Sequence, residues 1–369
     1  MKIQTSTATR TANIIIDFFN DINRIDDYFR LRKIERVKNL PVPIPGFGLE
    51  DDMFQSYDMS PEDMDIEITQ INNKIFNAML EKVASFSPDQ APGKELKLVV
   101  KEKNTNTLLG FIKLGSPIIN SKPRNDYLGN TPNLTIFNKR VIMGFIIVPV
   151  QPFGYNYLGG KLLALICTSH EVREMLNKKY NTEFCLFETT SLYGNIKGMS
   201  MYDGLKPFLR FKGDTESKFV PTLGEEVYFT CKKIIEDDIQ DEIIHKGASS
   251  RKLKITTKII SLVKSSLKET DINLYERFVS AIKKAEGITT QKRFYMSDYG
   301  YENARDVILG KTDKLIKGQN YEKHNLENIV NWWKKKSTSR YNNLKASNKV
   351  RKELEVWSAD TMNKIDIIR

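Results

Sequence analysis

The chain has 369 residues, of which 40% are hydrophobic and 28% charged, and its formal net charge is +11; this excludes a wholly disordered chain and allows two or three domains. It has no run of the roughly 20 apolar residues that a membrane helix needs, no signal-peptide pattern at its first residues, and only three cysteines, too few for a disulfide scaffold. We therefore expect a folded cytoplasmic protein with buried thiols and no membrane association.

Helical spacing dominates the first 92 residues. Apolar residues recur every three to four positions from Thr11 to about Leu40. A second helix is predicted to begin at Ser60-Pro61, where a capping hydroxyl precedes a proline in the first turn, and to run to about Phe86. Both helices are predicted to form a flank at residues 1–92.

The pattern changes to strands at Glu95. Two β-rich runs, 96–102 and 107–113, are joined by a short polar turn, which predicts a hairpin. A further strand is predicted at 134–137. The long apolar run Val141–Val150 indicates a central strand that is covered on both faces.

A glycine-containing loop at 151–160 follows that strand. The loop precedes a predicted helix, Lys161 to about Lys179, and a predicted strand, Glu183–Thr190. This order predicts a right-handed crossover between parallel strands. The amides of such a loop and of the following helix N-terminus can bind a phosphate or diphosphate, although many glycine loops only turn a corner.

The order of these elements resembles the core of the GNAT-type acyltransferases over residues 95–212. In that family the glycine loop holds the diphosphate of acyl-CoA, and the splayed strands beside it admit the pantetheine arm. The resemblance implies an α+β fold, with a mixed sheet and helices on both faces at 93–245, between helical extensions at 1–92 and 246–369. It also implies acetyl-CoA or another acyl-CoA as cofactor, bound by Val148, Gly154, Tyr155, Asn156, Leu158, Gly159, Gly160 and Lys161.

A second resemblance covers the same crossover unit. The run YLGGKLLAL and the later KKYNTEFCLFETTSLYG are similar to the DruA-like family of anti-phage and phage-borne proteins. This resemblance implies a role in phage–host conflict or phage DNA metabolism, in the cytoplasm of a bacterial host. The residues that match its pattern are Leu158, Lys161, Leu163, Glu188 and Thr189.

An acyltransferase needs a base for the acceptor amine and an acid for the leaving thiolate. Glu188, on the strand after the crossover, is the candidate base, and Tyr193 and Tyr202 are the candidate acids. The alternatives are a structural carboxylate that pairs with a cation, and tyrosines that only pack. No metal site is predicted, because the cysteines and histidines lack close paired spacing. The acidic run 236–242 could hold Mg²⁺, but a solvated helix cap or mimicry of a DNA backbone explains it at least as well.

The last third of the chain carries the whole basic surplus. Residues 246–369 hold 27 Lys and Arg against 14 Asp and Glu, whereas residues 1–245 hold 30 against 32. This asymmetry predicts DNA or RNA as a partner, since cations that neutralise phosphates release counterions; the alternative is a solvated lysine-rich face. The region is predicted to be mainly helical, with a short strand or arm at 291–300 and two final helices, from about Glu322 to Tyr341 and from Leu344 to Met362. The candidate nucleic-acid-binding residues are Lys292, Arg293, Lys334, Lys335, Lys336 and Arg340.

Trp332 and Trp333 adjoin these lysines. They could stack on bases or pack in a core, but at least one must pack, because neighbours on a helix point in different directions.

Three functions are compatible with these patterns. The first is a phage-type GNAT-like acyltransferase that acts on nucleic acid or on a nucleic-acid-bound substrate. The second is a non-catalytic nucleic-acid-binding protein with a degenerate GNAT-like domain, and the third is a phage structural or assembly protein. The fold resemblance alone does not choose between them.

Overall fold

A computed structural model describes residues 2–38, 51–86, 93–191, 199–215, 222–244, 251–288 and 291–366. The chain divides into a helical unit (Met1–Asn39, Ser217–Thr290 and Asp366–Arg369) and a sheet unit (Leu40–Glu216 and Gln291–Ile365). The two predicted flanking regions, 1–92 and 246–369, therefore each contribute to both units.

The elements follow one another in chain order. The first half contains α1 (Thr5–Asn20), α2 (Ile25–Lys38), a 3-10 turn (Pro61–Asp63), β1 (Ile66–Gln70), α3 (Asn73–Val83), β2 (Glu95–Glu102), β3 (Thr107–Gly115), α4 (Lys122–Leu128), α5 (Leu134–Arg140), β4 (Val141–Pro149), α6 (Phe153–Asn156), α7 (Gly159–Ile166) and α8 (His170–Tyr180). The second half contains β5 (Leu186–Ser191), β6 (Arg210–Asp214), α9 (Glu225–Ile239), α10 (Arg251–Thr270), α11 (Ile272–Glu286), β7 (Arg293–Ser297), α12 (Ala304–Ile308), a 3-10 turn (Tyr321–His324) and α13 (Leu326–Ala346).

The helical unit is organised around α1, which packs against α9, α10 and α11. Its contact face is small or apolar and includes Ala8, Ala12, Ile15 and Phe19. The single helix predicted from Thr11 to Leu40 is two helices, because the Asp27 carboxylate accepts from the amides of residues 23 and 24 and starts α2 anew.

The sheet unit contains one seven-stranded mixed sheet in the order β1-β2-β3-β4-β5-β7-β6. Strands β4 and β5 are parallel, and every other neighbouring pair is antiparallel. The predicted hairpin is β2–β3, and the predicted crossover joins β4 to β5 through α7 and α8. Both predictions are confirmed, as is the central, largely buried position of β4. The mixed α/β sheet architecture agrees with the predicted class.

Three local predictions are wrong. The helix expected at 60–86 is replaced by the Pro61–Asp63 turn, β1 and α3, because Ile66–Gln70 pairs with the edge of β2 and gains a full ladder. The strand expected at 134–137 is α5, whose first amides donate to the Asn133 side chain. The helix expected at 161–179 is interrupted, and the Ser169 hydroxyl caps α8 at the break.

The C-terminal helices also differ from expectation. Instead of helices at 322–341 and 344–362, one helix, α13, runs to Ala346. It ends because Asn348 adopts a left-handed backbone conformation (φ 52°) and the Lys349 amide donates to the Leu344 carbonyl. The described residues beyond this point form turns and extended chain up to Asp366.

All three cysteines are free and buried, as predicted. Across the described helices, none combines the length and apolar character required to span a bilayer.

Candidate functional site

The two parallel strands at the centre of the sheet separate partway along their length. The register joins Val141–Gly144 to Leu186–Thr189. Beyond this point β4 pairs with β3, with Phe145 as an extra bulged residue, while β5 continues against β7. A bulge bends a strand and ends regular pairing. β4 and β5 therefore part at Gly144 and Thr189, where the Thr189 hydroxyl donates to the Gly144 carbonyl at 3.0 Å.

The loop after β4 is held by α13. The Tyr157 carbonyl accepts from Trp333 Nε1 and from Ser337 Oγ, each at 2.8 Å. The buried Asn156 side chain donates to the Arg351 carbonyl and accepts from the Arg351 amide, at 2.7 and 3.0 Å. These contacts fix the loop, so the helix that follows has a defined starting point.

The amides of this loop are used inside the loop. Those of Gly154, Tyr155 and Asn156 donate to the Val150 carbonyl, the Gln151 side chain and the Pro152 carbonyl. They therefore do not present the phosphate-binding amides that the sequence predicted, and a phosphate would depend on the first turn of α7 and on side-chain cations.

Close packing explains the two glycines that open α7. A Cβ on Gly159 would lie 2.5 Å from the Phe153 ring, and a Cβ on Gly160 would lie 2.5 Å from the Met201 sulfur. The preceding Leu158 has a left-handed backbone (φ 53°), which is unfavourable for a branched apolar residue. The unfavourable backbone conformation therefore lies at the residue that immediately precedes α7.

Cations converge on that helix start. Lys161 Nζ donates to the Asp203 carbonyl at 3.1 Å, and the Asp203 carboxylate accepts from Arg293 at 3.2 Å and from the Tyr295 hydroxyl at 2.8 Å. Burial lowers the pKa of Lys161, and the positive charge of Lys336 lowers it further. Lys161, Arg293 and Lys336 thus belong to one neighbourhood although they come from three elements.

Two more guanidinium groups lie beside the loop. Arg340 and Arg351 lie 4.8 and 3.9 Å from the centre of the Tyr155 ring, and Arg340 is one helical turn from Lys336 on α13. The structure therefore places Lys161 and Tyr155, which were predicted to bind the cofactor, near Lys336 and Arg340, which were predicted to bind nucleic acid. We call the following residues the basic cluster: Lys161, Arg293, Lys336, Arg340 and Arg351.

Three of the predicted nucleic-acid-binding lysines and the predicted cofactor-binding residue Val148 are not members of the basic cluster. Lys334 Nζ donates to the Glu62 carbonyl at 3.0 Å, and Lys335 is exposed on another side of α13. Lys292 is half-buried, and burial lowers its pKa. Val148 lies on β4 beyond the parting point and is partly exposed. Arg351 was not among the sequence-predicted site residues, because no local pattern connects it to Tyr155.

Glu188, the candidate base, is completely buried and paired. Its two carboxylate oxygens lie 3.0 and 3.3 Å from Arg124 Nη1, and neither side chain is exposed. Arg124 also donates to the carbonyls of Ile118 and Ile119, at 2.9 and 2.6 Å, and stacks over Phe137. A catalytic role for Glu188 remains a prediction, and the observed geometry corresponds to the alternative of a structural carboxylate paired with a cation.

Of the two predicted general acids, Tyr202 and Tyr193, the structure describes only Tyr202. Tyr202 is buried and its ring lies edge-on to Tyr295. Burial raises the pKa of its phenol, which makes it a weaker acid than an exposed tyrosine. Tyr193 lies outside the described residues. Within the described ranges, no group of three or more His, Cys, Asp or Glu side chains is placed to hold a metal ion.

The fold and the site define a mixed α/β protein with an open sheet and a cationic crossover loop. Residues 49–200 match the family model described as Druantia protein DruA. The matched segment contains β1–β5 and the whole crossover loop, and it supports the DruA-like resemblance of the sequence. No curated protein and no solved structure matched the chain.

The Glu188–Arg124 pair gives a pH-dependent prediction. Burial raises the pKa of Glu188 to about 7, although Arg124 favours the charged form. The folded protein then binds this proton more tightly than the unfolded chain, so stability is lost as the pH rises from about 4.5 to about 7. The loss is on the order of 3 kcal/mol. Glu188→Gln is expected to remove this part of the pH dependence.

The measurement is urea denaturation of both proteins at pH 5 and pH 8. Glu183→Gln, which changes a largely exposed carboxylate on the same connection, is the control and should keep the wild-type pH dependence. Parallel pH profiles for the wild type and Glu188→Gln would contradict the assigned pKa.

Proposed function

We propose that the sheet unit is a GNAT-like acyltransferase domain, or is derived from one, which uses acyl-CoA to modify a nucleic acid or a nucleic-acid-bound substrate. The observation that carries the proposal is that β4 and β5 part at Gly144 and Thr189, while Arg293 of the basic cluster pairs with Ser191, the last residue of β5. Parted strands offer backbone and space to an extended pantetheine arm, and the cluster offers charge to phosphates. The GNAT-like resemblance of the sequence implies this same combination.

The residues present fit a ligand that carries several phosphates. Lysine and arginine form charge-assisted hydrogen bonds with phosphate oxygens, and the basic cluster supplies five such side chains from α7, β7, α13 and the chain that follows α13. The first turn of α7 adds the positive end of a helix dipole. Acyl-CoA would supply the thioester, and the protein would hold its diphosphate at Lys161, Lys336 and Arg340.

Acyl transfer requires two protein groups, a general base and a general acid. Acyl-CoA would supply a thioester whose carbonyl carbon bonds to the acceptor amine as the carbon–sulfur bond breaks. A base would take the proton from the amine, and an acid would protonate the leaving thiolate. Tyr202 is retained as the candidate proton donor from the sequence, but burial raises the pKa of its phenol and so makes it a weaker acid. Glu188 would have to leave Arg124 in order to accept a proton, so the proposal does not depend on Glu188 as the base.

Lys336→Ala is expected to weaken the binding of CoA up to about fivefold, which corresponds to about 1 kcal/mol for one exposed charged contact. The measurement is isothermal titration of the protein with CoA. Lys335→Ala is the matched control, because it removes the same charge from the adjacent position on α13 but points away from Lys161. Equal dissociation constants for the two variants would contradict the proposed phosphate site.

A specific observation favours the second candidate, a non-catalytic nucleic-acid-binding protein. Glu188 is sequestered by Arg124, and Tyr202 is buried beneath neighbouring aromatic side chains. In that case the basic cluster would bind nucleic-acid phosphates in place of acyl-CoA. Wild-type protein that binds DNA but shows no heat of binding with millimolar CoA would select this function over the first.

A further inference from the structure

We propose that the exposed face of α10, in the helical unit, binds the phosphate backbone of a duplex nucleic acid. Residues 251–268 contain six cations and no carboxylate. In the helical unit this stretch is a continuous cationic segment of one helix. It belongs to a different unit from the basic cluster.

The helix spacing places the exposed polar residues of α10 on one stripe. Positions 254, 258, 261, 265 and 268 alternate in steps of four and three, which is the spacing of one helix face. The stripe covers 14 residue steps, or about 21 Å, which is roughly the rise of six base pairs. We call it the lysine–serine face, and its exposed members are Lys254, Lys258, Ser261, Ser265 and Lys268.

The opposite side of α10 anchors the face. Ile255, Ile259, Val263 and Leu267 are fully buried, and α10 packs against α1, α9 and α11. Because the apolar stripe is fixed in the bundle, the lysine–serine face has a fixed direction and a straight course. A rigid row of donors can follow a phosphate backbone without a large loss of conformational entropy.

The lysine–serine face differs from an ordinary solvated helix surface because its lysines have no acidic partners among the described residues. Other helices of the unit carry acidic residues among their cations, as in the Lys232–Glu236 pair of α9 at 2.9 Å and the exposed Glu276 and Glu286 of α11. Over the described ranges, Lys254, Lys258 and Lys268 take part in no ion pair. Like charges one turn apart destabilise a helix. A polyanion bound along the face would remove that repulsion.

The chemistry of the face favours a duplex over a single strand. Proteins that bind single strands combine cations with aromatic side chains on which bases stack, and residues 251–270 contain no aromatic residue. Lysines and hydroxyls that contact phosphates position a backbone without reading its sequence. We therefore expect sequence-independent binding that is governed by salt concentration.

The test is fluorescence anisotropy of a labelled 20-base-pair DNA duplex, measured from 50 to 200 mM salt. The triple variant Lys254→Gln, Lys258→Gln and Lys268→Gln is expected to bind about tenfold or more weakly at the lower salt and to lower the salt slope by about 3, one for each phosphate contact. All three side chains are exposed, so the fold should be retained, and circular dichroism checks it.

The matched control is the triple variant Arg277→Gln, Lys283→Gln and Lys284→Gln. It removes the same charge from exposed positions of α11, whose exposed residues also include Glu276 and Glu286. The control should keep most of the wild-type slope. Equal losses in both triple variants, or tighter binding of a 20-nucleotide single strand than of the duplex by the wild type, would overturn the proposal. The α10 triple variant is expected to bind CoA with the same dissociation constant as the wild type. The CoA titration therefore tests the proposed acyl-CoA site independently of the DNA-binding face.

Discussion

Arg124→Met is expected to lower the free energy of unfolding of the sheet unit by about 3–5 kcal/mol at pH 8. The substitution leaves the fully buried Glu188 carboxylate without its counterion and the carbonyls of Ile118 and Ile119 without a donor. Each unpaired buried polar group costs about 1–3 kcal/mol, and a charged group costs more. Because Glu188 can take up a proton instead, the loss should be smaller at pH 5 than at pH 8.

Urea denaturation followed by tryptophan fluorescence and circular dichroism measures this loss. Arg140→Met is the control, since Arg140 pairs with the exposed Glu183 and should lose less than about 1 kcal/mol. The double variant Arg124→Met, Glu188→Met removes both charges and should recover part of the stability. An Arg124→Met protein within 1 kcal/mol of the wild type at both pH values would show that the pair does not constrain the fold.

The sequence predicted those elements whose signal is local. The β2–β3 hairpin and the buried strand β4 each have a pattern that their own residues carry. The helix predicted over 60–86 failed for the converse reason. Ile66–Gln70 becomes a strand because β2 offers it a free edge, and β2 lies some thirty residues further along the chain.

The residue types of the candidate site could be predicted from local sequence, but the contacts between them depend on long-range packing. Helix spacing alone requires that Lys335 and Lys336 point in different directions, but only the packing of α13 on α7 determines which of them meets Lys161. The buried partner of Glu188 could not have been found from sequence, because Arg124 lies 64 positions earlier and reaches β5 from the first turn of α4. Charged pairs of this kind have no periodic signature.

Trp333→Ala is expected to cost about 3–5 kcal/mol, since it empties a large, fully buried site in the core. It also removes one of the two donors to the Tyr157 carbonyl, so the loop before α7 loses part of its anchor. The basic cluster is assembled by the contact of α13 with this loop. We therefore expect weaker binding of CoA as well as lower stability, because Lys336 and Arg340 would no longer be held beside Lys161 and Tyr155.

Trp332→Ala tests whether the effect belongs to this one indole. Trp332 is the adjacent residue but is only partly buried, against Phe208, so its truncation is expected to cost about 1–2 kcal/mol and to leave CoA binding close to that of the wild type. Trp333→Phe separates packing from hydrogen bonding, because it fills most of the cavity but cannot donate to Tyr157. If Trp333→Phe keeps most of the stability and still weakens CoA binding, the anchored loop is what organises the cations. Equal losses for Trp332→Ala and Trp333→Ala would contradict that assignment.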